Sequence, residues 1–369
     1  MNKYTIWAFV GLCMCVNCTN NVRSSKKVNV DLEQRISLDA VTDYLQPDSL
    51  VLVSSNEFAI ANFDRTIRRG TDIYVLDKMQ QAVFKVNTSS RSLQRIINCR
   101  GNAQNEYLGI TDIAMDESNN IYVYDSDSRK INLYNADGKF LRTMHAVCGS
   151  SIALSDDEIV INTNQLEDNQ IVVFSLSGEL LYQTAPYVEQ KQKYTLDDIG
   201  SIVALEDGFL YVTPFDFNIY QADETGYSPF VLLNCGESQF DVREMEGLDY
   251  LSYQRMLMKN SDKVMSFHHL CAYNNLIFFS TDRSDQLLYD TKKDSVVTIS
   301  NVEAPYNTLF SSPVSVSRDG QFCVALSNTN IRDGYLSWFK TNKTKLPQLQ
   351  PATEAAGNDS FWLLMGHVH

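Results

Sequence analysis

Six short apolar runs with high β-propensity recur along this chain, and this repetition constrains the fold more than any other feature. Each run follows a turn rich in acidic residues, Asn or Gly, and many end at Asp, Asn or Ser. The runs are Asp72–Asp77, Asn120–Asp125, Glu158–Asn162, Gly208–Thr213, Asn275–Ser280 and Gln321–Ala325. A chain of this kind stacks one supersecondary unit against the next to bury its apolar faces.

The segments around each run supply further strands. An apolar segment such as Ile113–Asp116 precedes the run, and an alternating segment such as Lys130–Tyr134 follows most of them. A turn such as Asp137-Gly138 then leads to a fourth segment. Period-two alternation and Gly-containing turns are typical of antiparallel hairpins. Because three or four short strands per repeat are typical of a propeller blade, the sequence predicts an all-β fold, a six-bladed β-propeller.

The largest gap between runs contains the one segment with a helical pattern. Residues Phe240–Lys259 place Leu and Met side chains among charged ones. This pattern predicts one helical insertion between blades 4 and 5, at about residues 236–266. A smaller insertion, Tyr187–Asp198, is expected before blade 4.

Ring closure is the next requirement, because an open ring has an unpaired strand edge at each end. The tail Asp359–Met365 is strongly apolar, and the early segment Val28–Leu32 can also form a strand. We expect these two terminal strands to complete blades that the middle of the chain leaves unfinished.

The first residues have the pattern of an export signal. Lys3 gives a positive start, Tyr4–Val16 is an uncharged apolar run, and polar residues follow Cys18. The run is shorter than the roughly 20 residues of a membrane-spanning helix and fits a secretory signal. We expect residues 1–18 to be a lipoprotein signal peptide ending at the acylated Cys18, although Asn17 stands where a small residue is usual. The alternative is an uncleaved N-terminal helix with incidental cysteines.

The expected organisation after Cys18 is a polar linker, residues 19–27, and a single propeller domain, residues 28–369. The residues after Cys18 are polar without an acidic run, which favours the periplasmic side of the envelope over the cell surface. The formal net charge of −14 argues against nucleic acid as a partner, since nucleic acid rewards clusters of Lys and Arg. Membrane contact is expected through the lipid anchor only.

Four features of the chain resemble one known family. They are the lipoprotein start, the segment Asp48–Val51, the turn Cys99–Tyr107 and the tail Gly357–Phe361. In these features the chain resembles the six-bladed β-propeller lipoproteins of Bacteroidetes-type bacteria, which are related in fold to NHL- and TolB-like propellers. The family usually has Gly-Pro-Gly-Glu-Tyr where this chain has Ala-Gln-Asn-Glu-Tyr, so the turn is diverged. The resemblance covers nearly all of the chain after the signal and implies the fold without an assigned activity.

Common catalytic motifs do not occur after the signal: there is no P-loop, Gly-x-Ser-x-Gly, His-Glu-x-x-His or Cys-x-x-Cys. Adjacent His268 and His269 begin a predicted strand, where neighbouring side chains point to opposite faces, so they are not expected to share a metal. The acidic groups Asp125–Asp127 and Asp282–Asp285 have the oxygen chemistry of an axial Ca²⁺ site. Asp is also a common turn residue, and we favour that interpretation, with no metal and no cofactor.

Aromatic residues are the best binding candidates in the sequence. Phe215, Tyr227, Tyr250 and Tyr253 lie in predicted loops or in the insertion. Aromatic rings in such positions stack on sugars or bind peptides. The alternative for all four is packing between blades.

Two functions remain open. The first is a non-catalytic envelope lipoprotein that presents one rim of the propeller to a glycan, a peptide or a protein. The second is a hydrolase or lyase that acts on a carbohydrate or a lactone at the central mouth of the propeller. Three or four acidic, His or Asn side chains converging on the axis would favour the enzyme. The absence of catalytic motifs favours the binding protein, although fold alone does not define function.

Overall fold

The computed structural model describes residues 26–55, 57–186, 200–339, 345–349 and 360–369. Its strands form six sheets, which are the six blades of a β-propeller. Two strands come before the first blade, β1 (Lys26–Asn29) and β2 (Leu45–Val53). The signal segment with Cys18 and the expected insertion at 187–198 lie outside the described residues.

Blades 1 to 3 each use four consecutive antiparallel strands, numbered here from the axis outwards. Blade 1 consists of β3 (Arg65–Arg69), β4 (Asp72–Asp77), β5 (Ala82–Asn87) and β6 (Ser92–Ile97). Blade 2 consists of β7 (Asp112–Met115), β8 (Ile121–Asp125), β9 (Lys130–Tyr134) and β10 (Phe140–His145). Blade 3 consists of β11 (Ser151–Leu154), β12 (Glu158–Asn162), β13 (Asn169–Ser175) and β14 (Leu180–Pro186).

Blades 4 to 6 follow the same order, except that blade 6 also uses β2. Blade 4 consists of β15 (Ile202–Ala204), β16 (Phe209–Tyr211), β17 (Asn218–Asp223) and β18 (Gly226–Asn234). Blade 5 consists of β19 (Phe267–Tyr273), β20 (Leu276–Thr281), β21 (Gln286–Asp290) and β22 (Ser295–Thr298). Blade 6 contains β23 (Val314–Val316), β24 (Gln321–Ser327) and β25 (Phe361–Val368).

The second strand of every blade overlaps one of the six runs seen in the sequence, which confirms the predicted blade count. These strands are buried on both faces, as in β8 and β20. A strand covered on both sides is a continuous apolar run rather than an alternating one. Outer strands such as β6 alternate between buried and exposed residues instead.

The ring closes at blade 6. Strand β25 pairs antiparallel with β24 on one side and with β2 on the other, so the two ends of the chain share one sheet. The apolar tail was correctly predicted to close the ring. Gly366 stands where β25 passes β2, because a Cβ there would overlap the carbonyl oxygen of Gln46.

The other terminal strand was wrongly placed. The segment Val28–Leu32 does not complete a blade; instead β1 adds in parallel to the outer edge of blade 4, with Val28 opposite Leu233. Val28, Val30 and Leu32 bury their side chains in the apolar core of that blade. An exposed strand edge accepts any segment with free backbone groups, so the pairing depends on which edge lies near.

The predicted helix is present as α2 (Tyr250–Lys259), in the insertion between blades 4 and 5, preceded by 3-10 turns at Gly236–Ser238 and Val242–Met245. Asp249 caps it by accepting a hydrogen bond from Ser252 N at 2.7 Å.

The structure also contains helical segments that the sequence did not indicate. These are α1 (Leu38–Thr42), three 3-10 turns (Ile299–Asn301, Tyr306–Phe310, Pro347–Leu349) and a run of short α, π and α pieces (Asn328–Asn330, Ile331–Leu336, Ser337–Phe339). All are too short to show a helical period. Within the described ranges, no helix is long and apolar enough to cross a membrane.

Candidate functional site

The inner strands of the blades surround an axial channel. Each inner strand contacts those of the two neighbouring blades, from β3 through β7, β11, β15, β19 and β23 back to β3. The cavity between them has a volume of about 180 Å³. Apolar side chains such as Ala114, Leu154 and Ile202 form part of its wall.

The channel is basic although the whole chain carries a net charge of −14. Arg65, Arg68 and Arg69 of β3 line it together with Arg318 and His269. With a rise of about 3.3 Å per residue, Arg65 and Arg69 stand about 13 Å apart along the strand. The two ends of the channel therefore present different arginines.

At one end, Arg69 and Arg318 have partners. Arg69 donates to the carbonyl oxygen of Met115 at 3.0 Å, and burial followed by the nearby charge of Arg318 lowers the pKa of Arg69. Arg318 reaches across the mouth to Glu117 at 2.8 Å and to Asp156. Ion pairs between blade 6 and blades 2 and 3 therefore span this end of the channel.

Arg68 is a structural residue at the junction of blades 1 and 6. Its Nη1 donates to the carbonyl oxygens of Phe322 at 2.7 Å and Gly366 at 3.3 Å. Hydrogen bonds from a charged donor are stronger than those between neutral groups. Arg68 therefore joins the inner strand of blade 1 to the two strands that close the ring.

The opposite end holds Arg65, whose side chain is 17% exposed. Its Nε lies 3.9 Å from Asp112 Oδ1, which is too long for a hydrogen bond. Asp112 itself is buried and accepts hydrogen bonds from Ser151 Oγ at 2.8 Å and Ile152 N at 3.1 Å. Blade 3 thus holds the carboxylate in place. The interaction of Asp112 with Arg65 is electrostatic and includes no hydrogen bond.

His269 stands beside Arg65 in a strained backbone position. Its φ is +54°, at a break in register between His268 and Cys271 of β19. Leu270 N donates to the carbonyl oxygen of Gly200 at 2.7 Å, which fixes this bulge against blade 4. Burial, and then the charges of His268 and Arg65, hold the pKa of His269 well below its usual value. Residues in such backbone conformations often cluster at functional sites.

The acidic residues that follow the central strands hold loops in place. Asp77 accepts a hydrogen bond from Ala61 N at 2.6 Å, and Asp125 accepts one from Leu108 N at 2.7 Å. Asp282 accepts from Met265 N at 3.0 Å. In each case the carboxylate binds the backbone just before the inner strand of its own blade. Among the described residues, no group of three or more His, Cys, Asp or Glu is placed to hold a metal ion.

Two of the predicted aromatic residues are core residues. Phe215 and Tyr253 are 4% and 2% exposed, and their ring centroids are 6.3 Å apart. Phe215 also packs against Phe240, at 5.8 Å. These contacts attach the insertion to blade 4. A groove of about 720 Å³, lined by Phe215, Phe240 and Asp216 among others, lies beside them.

The other two predicted residues lie on the surface. Tyr250 is 58% exposed at the start of α2. Tyr227, on β18, is also exposed, and its ring lies 6.4 Å from that of Tyr220. Tyr227 and Tyr250 stay candidates for ligand contact. Cys18, the predicted lipidation site, lies outside the described residues.

The sequence does not mark Arg65 as a site residue, and it indicates His269 only as half of an adjacent histidine pair. For the channel, the only indication in the sequence is the pair Arg68-Arg69, which is one of the longest basic runs in the chain. Nothing local marks Arg65, because its surroundings come from blades 1, 2, 4 and 5.

The fold and the channel together define a class, a six-bladed β-propeller with a basic axial channel. Within that class the chain belongs to the family described as a domain of unknown function, DUF4934, whose model matches residues 52–360.

Two solved structures with the same fold come from Bacteroides species. A Bacteroides fragilis protein described as exported is 17% identical with a TM-score of 0.67, over 93% of this chain and 99% of that one. A member of the DUF4221 family from Bacteroides vulgatus is 9% identical with a TM-score of 0.50, over 88% of this chain and 98% of that one. At these identities the likeness is one of fold. No curated protein matches the chain.

Proposed function

We propose that this protein is an exported, non-catalytic binding module that docks a protein partner on the insertion between blades 4 and 5. The observation behind the proposal is a group of exposed apolar side chains on α2. Tyr250, Leu251 and Met258 are 58%, 65% and 69% exposed. At 3.6 residues per turn they lie within about 100° of one another around the helix.

The opposite face of α2 is fixed to the propeller. Tyr253 and Met256 are buried in the core that joins the insertion to blade 4. The exposed side chains are therefore presented by a packed helix, which lowers the entropy lost on binding. Tyr and Met are enriched at protein interfaces, and clustered apolar exposure marks interaction surfaces. These features favour a protein partner over a glycan.

The proposal includes export and attachment to the envelope through Cys18. It is supported by the uncharged apolar start of the chain followed by polar residues. The description of the Bacteroides fragilis relative as exported agrees with it.

Site-specific photo-crosslinking in envelope fractions tests the docking surface. A photoreactive amino acid at Leu251 is compared with one at Leu180, which is similarly exposed on blade 3. We expect one defined adduct at position 251 and none at position 180. The captured protein, once purified, should bind the wild-type chain, and Leu251→Asp should weaken that binding at least about tenfold.

Identical adducts at both positions, or full binding by the Leu251→Asp variant, would overturn the proposal. A glycan array provides the second arm. Binding to a glycan that is unaffected by Leu251→Asp would replace the protein partner with a sugar ligand bound elsewhere on the propeller.

A further inference from the structure

The arginines of the axial channel differ in how their donors are used. Arg68 and Arg69 donate to backbone carbonyls, and Arg318 pairs with two carboxylates. Arg65 makes no hydrogen bond to any described residue, although a guanidinium carries five N–H donors. Its side chain is nevertheless mostly buried. Its nearest carboxylate, Asp112, lies 3.9 Å away and accepts its hydrogen bonds from other groups. Arg65 is therefore the channel residue whose unused N–H donors a bound anion would satisfy.

The guanidinium of Arg65 packs against Gly200 and lies next to His269. Gly200 has φ +66°, and a Cβ there would overlap Arg65 Nη1. His269 is held beside it by the bulge of β19. Both ring nitrogens of His269 are without a hydrogen bond to the described residues. Two polar groups with unused hydrogen-bonding capacity therefore lie side by side at the wall of one cavity.

The size of the cavity restricts the ligand. A cavity of about 150 Å³ holds a benzene molecule in an engineered protein, and the channel has about 180 Å³. Its wall also includes apolar side chains such as Met115, Ala153 and Ile202. These dimensions fit one ring-sized group, with an apolar wall for the ring and a fork of N–H donors for a carboxylate.

We propose that the Arg65 end of the axial channel binds the carboxylate of a small acidic molecule of about one ring, with His269 as a second hydrogen-bonding group. The site is separate from the exposed face of α2, so it does not depend on the proposed docking surface.

Isothermal titration calorimetry on the purified full-length chain tests this site with three probes of similar size: D-glucuronate, benzoate and glucose. We expect both acids to bind and glucose not to bind. Tighter binding of glucuronate would identify a hydroxylated acid such as a uronic acid residue, and tighter binding of benzoate an apolar cyclic acid. Failure of both acids, or equal binding of glucose, would overturn the proposal.

Variants connect the binding to Arg65. Arg65→Met should weaken acid binding at least about tenfold, whereas Arg91→Gln, on an exposed turn, should leave it unchanged. Arg65→Lys retains the positive charge but cannot donate two parallel N–H hydrogen bonds to a carboxylate. The variant should therefore fold and bind the acids more weakly than the wild type. Wild-type affinity in both Arg65 variants would place the acid elsewhere and overturn the assignment.

Discussion

The insertion between blades 4 and 5 and the axial channel both combine side chains that hold the fold with side chains that are exposed or make no hydrogen bond to the described residues. At the insertion, Tyr253 packs into the core against Phe215 of blade 4, while Tyr250 is exposed on the same helix. In the channel, Arg68 bonds to two backbone carbonyls, while Arg65 makes no hydrogen bond to the described residues. Residue type therefore does not separate the side chains that hold the fold from the others in either region.

What separates them is whether the surface or the donors of each side chain are matched by other protein groups. Phe215 is surrounded by blade 4, the turn at Phe240 and α2, and Arg68 by blades 1 and 6. Tyr250 borders solvent, and Arg65 makes no hydrogen bond to the described residues although it lies among four blades. The comparison predicts large stability losses at Phe215 and Arg68 and small ones at Arg65 and Tyr250.

The largest effect is expected from Phe215→Ala. Removing a buried aromatic ring costs about 3–5 kcal/mol, because the surroundings fill the cavity only in part. We therefore expect the free energy of unfolding, measured by urea denaturation, to fall by that amount. Tyr227→Ala, which changes an exposed aromatic residue on the same blade, is the control. Equal urea midpoints for the two variants would show that the insertion is not anchored through Phe215.

Arg68→Met should lower the free energy of unfolding by about 2–3 kcal/mol. The substitution leaves the carbonyl oxygens of Phe322 and Gly366 without this charged donor, and hydrogen bonds to charged groups contribute about 1.5–3 kcal/mol. Arg65→Met is the matched control, since it removes the same group from the same strand. We expect its urea midpoint to fall less than that of Arg68→Met, since Arg65 makes no hydrogen bond to the described residues and only faces Asp112 at 3.9 Å. A larger loss for Arg65 than for Arg68 would reverse the comparison.

The sequence predicts most of the fold because the second strand of each blade has its own local signal. A strand such as Ile121–Asp125 is buried on both faces and therefore appears as an apolar run between turns. The pairing of β1 with blade 4 has no such signal, since it depends on an edge formed by residues 226–234. Short helical segments such as Leu38–Thr42 also contain too few residues to show a helical pattern of apolar side chains.

The candidate sites are less predictable for the same reason. Tyr250 and Tyr253 are the same residue type three positions apart on α2, and only packing against blade 4 makes one a core residue. Arg65 becomes part of a site because Asp112, Gly200 and His269 arrive from three other blades. These residues come together only when the ring is closed, so they form no sequence motif.

A smaller effect on stability is expected from protonation of His269 as the pH falls. Its folded pKa lies well below 6.5 because of burial and then the charges of His268 and Arg65. The carboxylate of Asp112 lies 3.9 Å from Arg65. Between the folded and unfolded pKa values the unfolded chain binds more protons, so stability falls as pH decreases below about 6.5 and this group contributes nothing above it. The limiting slope is about 1.4 kcal/mol per pH unit.

His269→Asn removes this titration, and Asn tolerates the positive φ better than most residues. Urea midpoints measured from pH 8 to pH 5 should fall less steeply for the variant than for the wild type. His145→Asn, on the outer strand of blade 2, is the matched control for the substitution itself. Parallel curves for the wild type and His269→Asn would mean that His269 accepts a proton in the folded channel without cost.

The smallest effect is expected from Tyr250→Ala, which should change the free energy of unfolding by no more than about 0.5 kcal/mol, as is usual for exposed positions. Tyr253→Ala is the matched control and should cost several kcal/mol, because it removes a buried aromatic ring from the next turn of the same helix. A loss above about 1 kcal/mol for Tyr250→Ala would show that its ring helps to fold the insertion. The apolar surface available to a partner would then consist of Leu251 and Met258 alone, and the docking proposal would rest on a smaller patch.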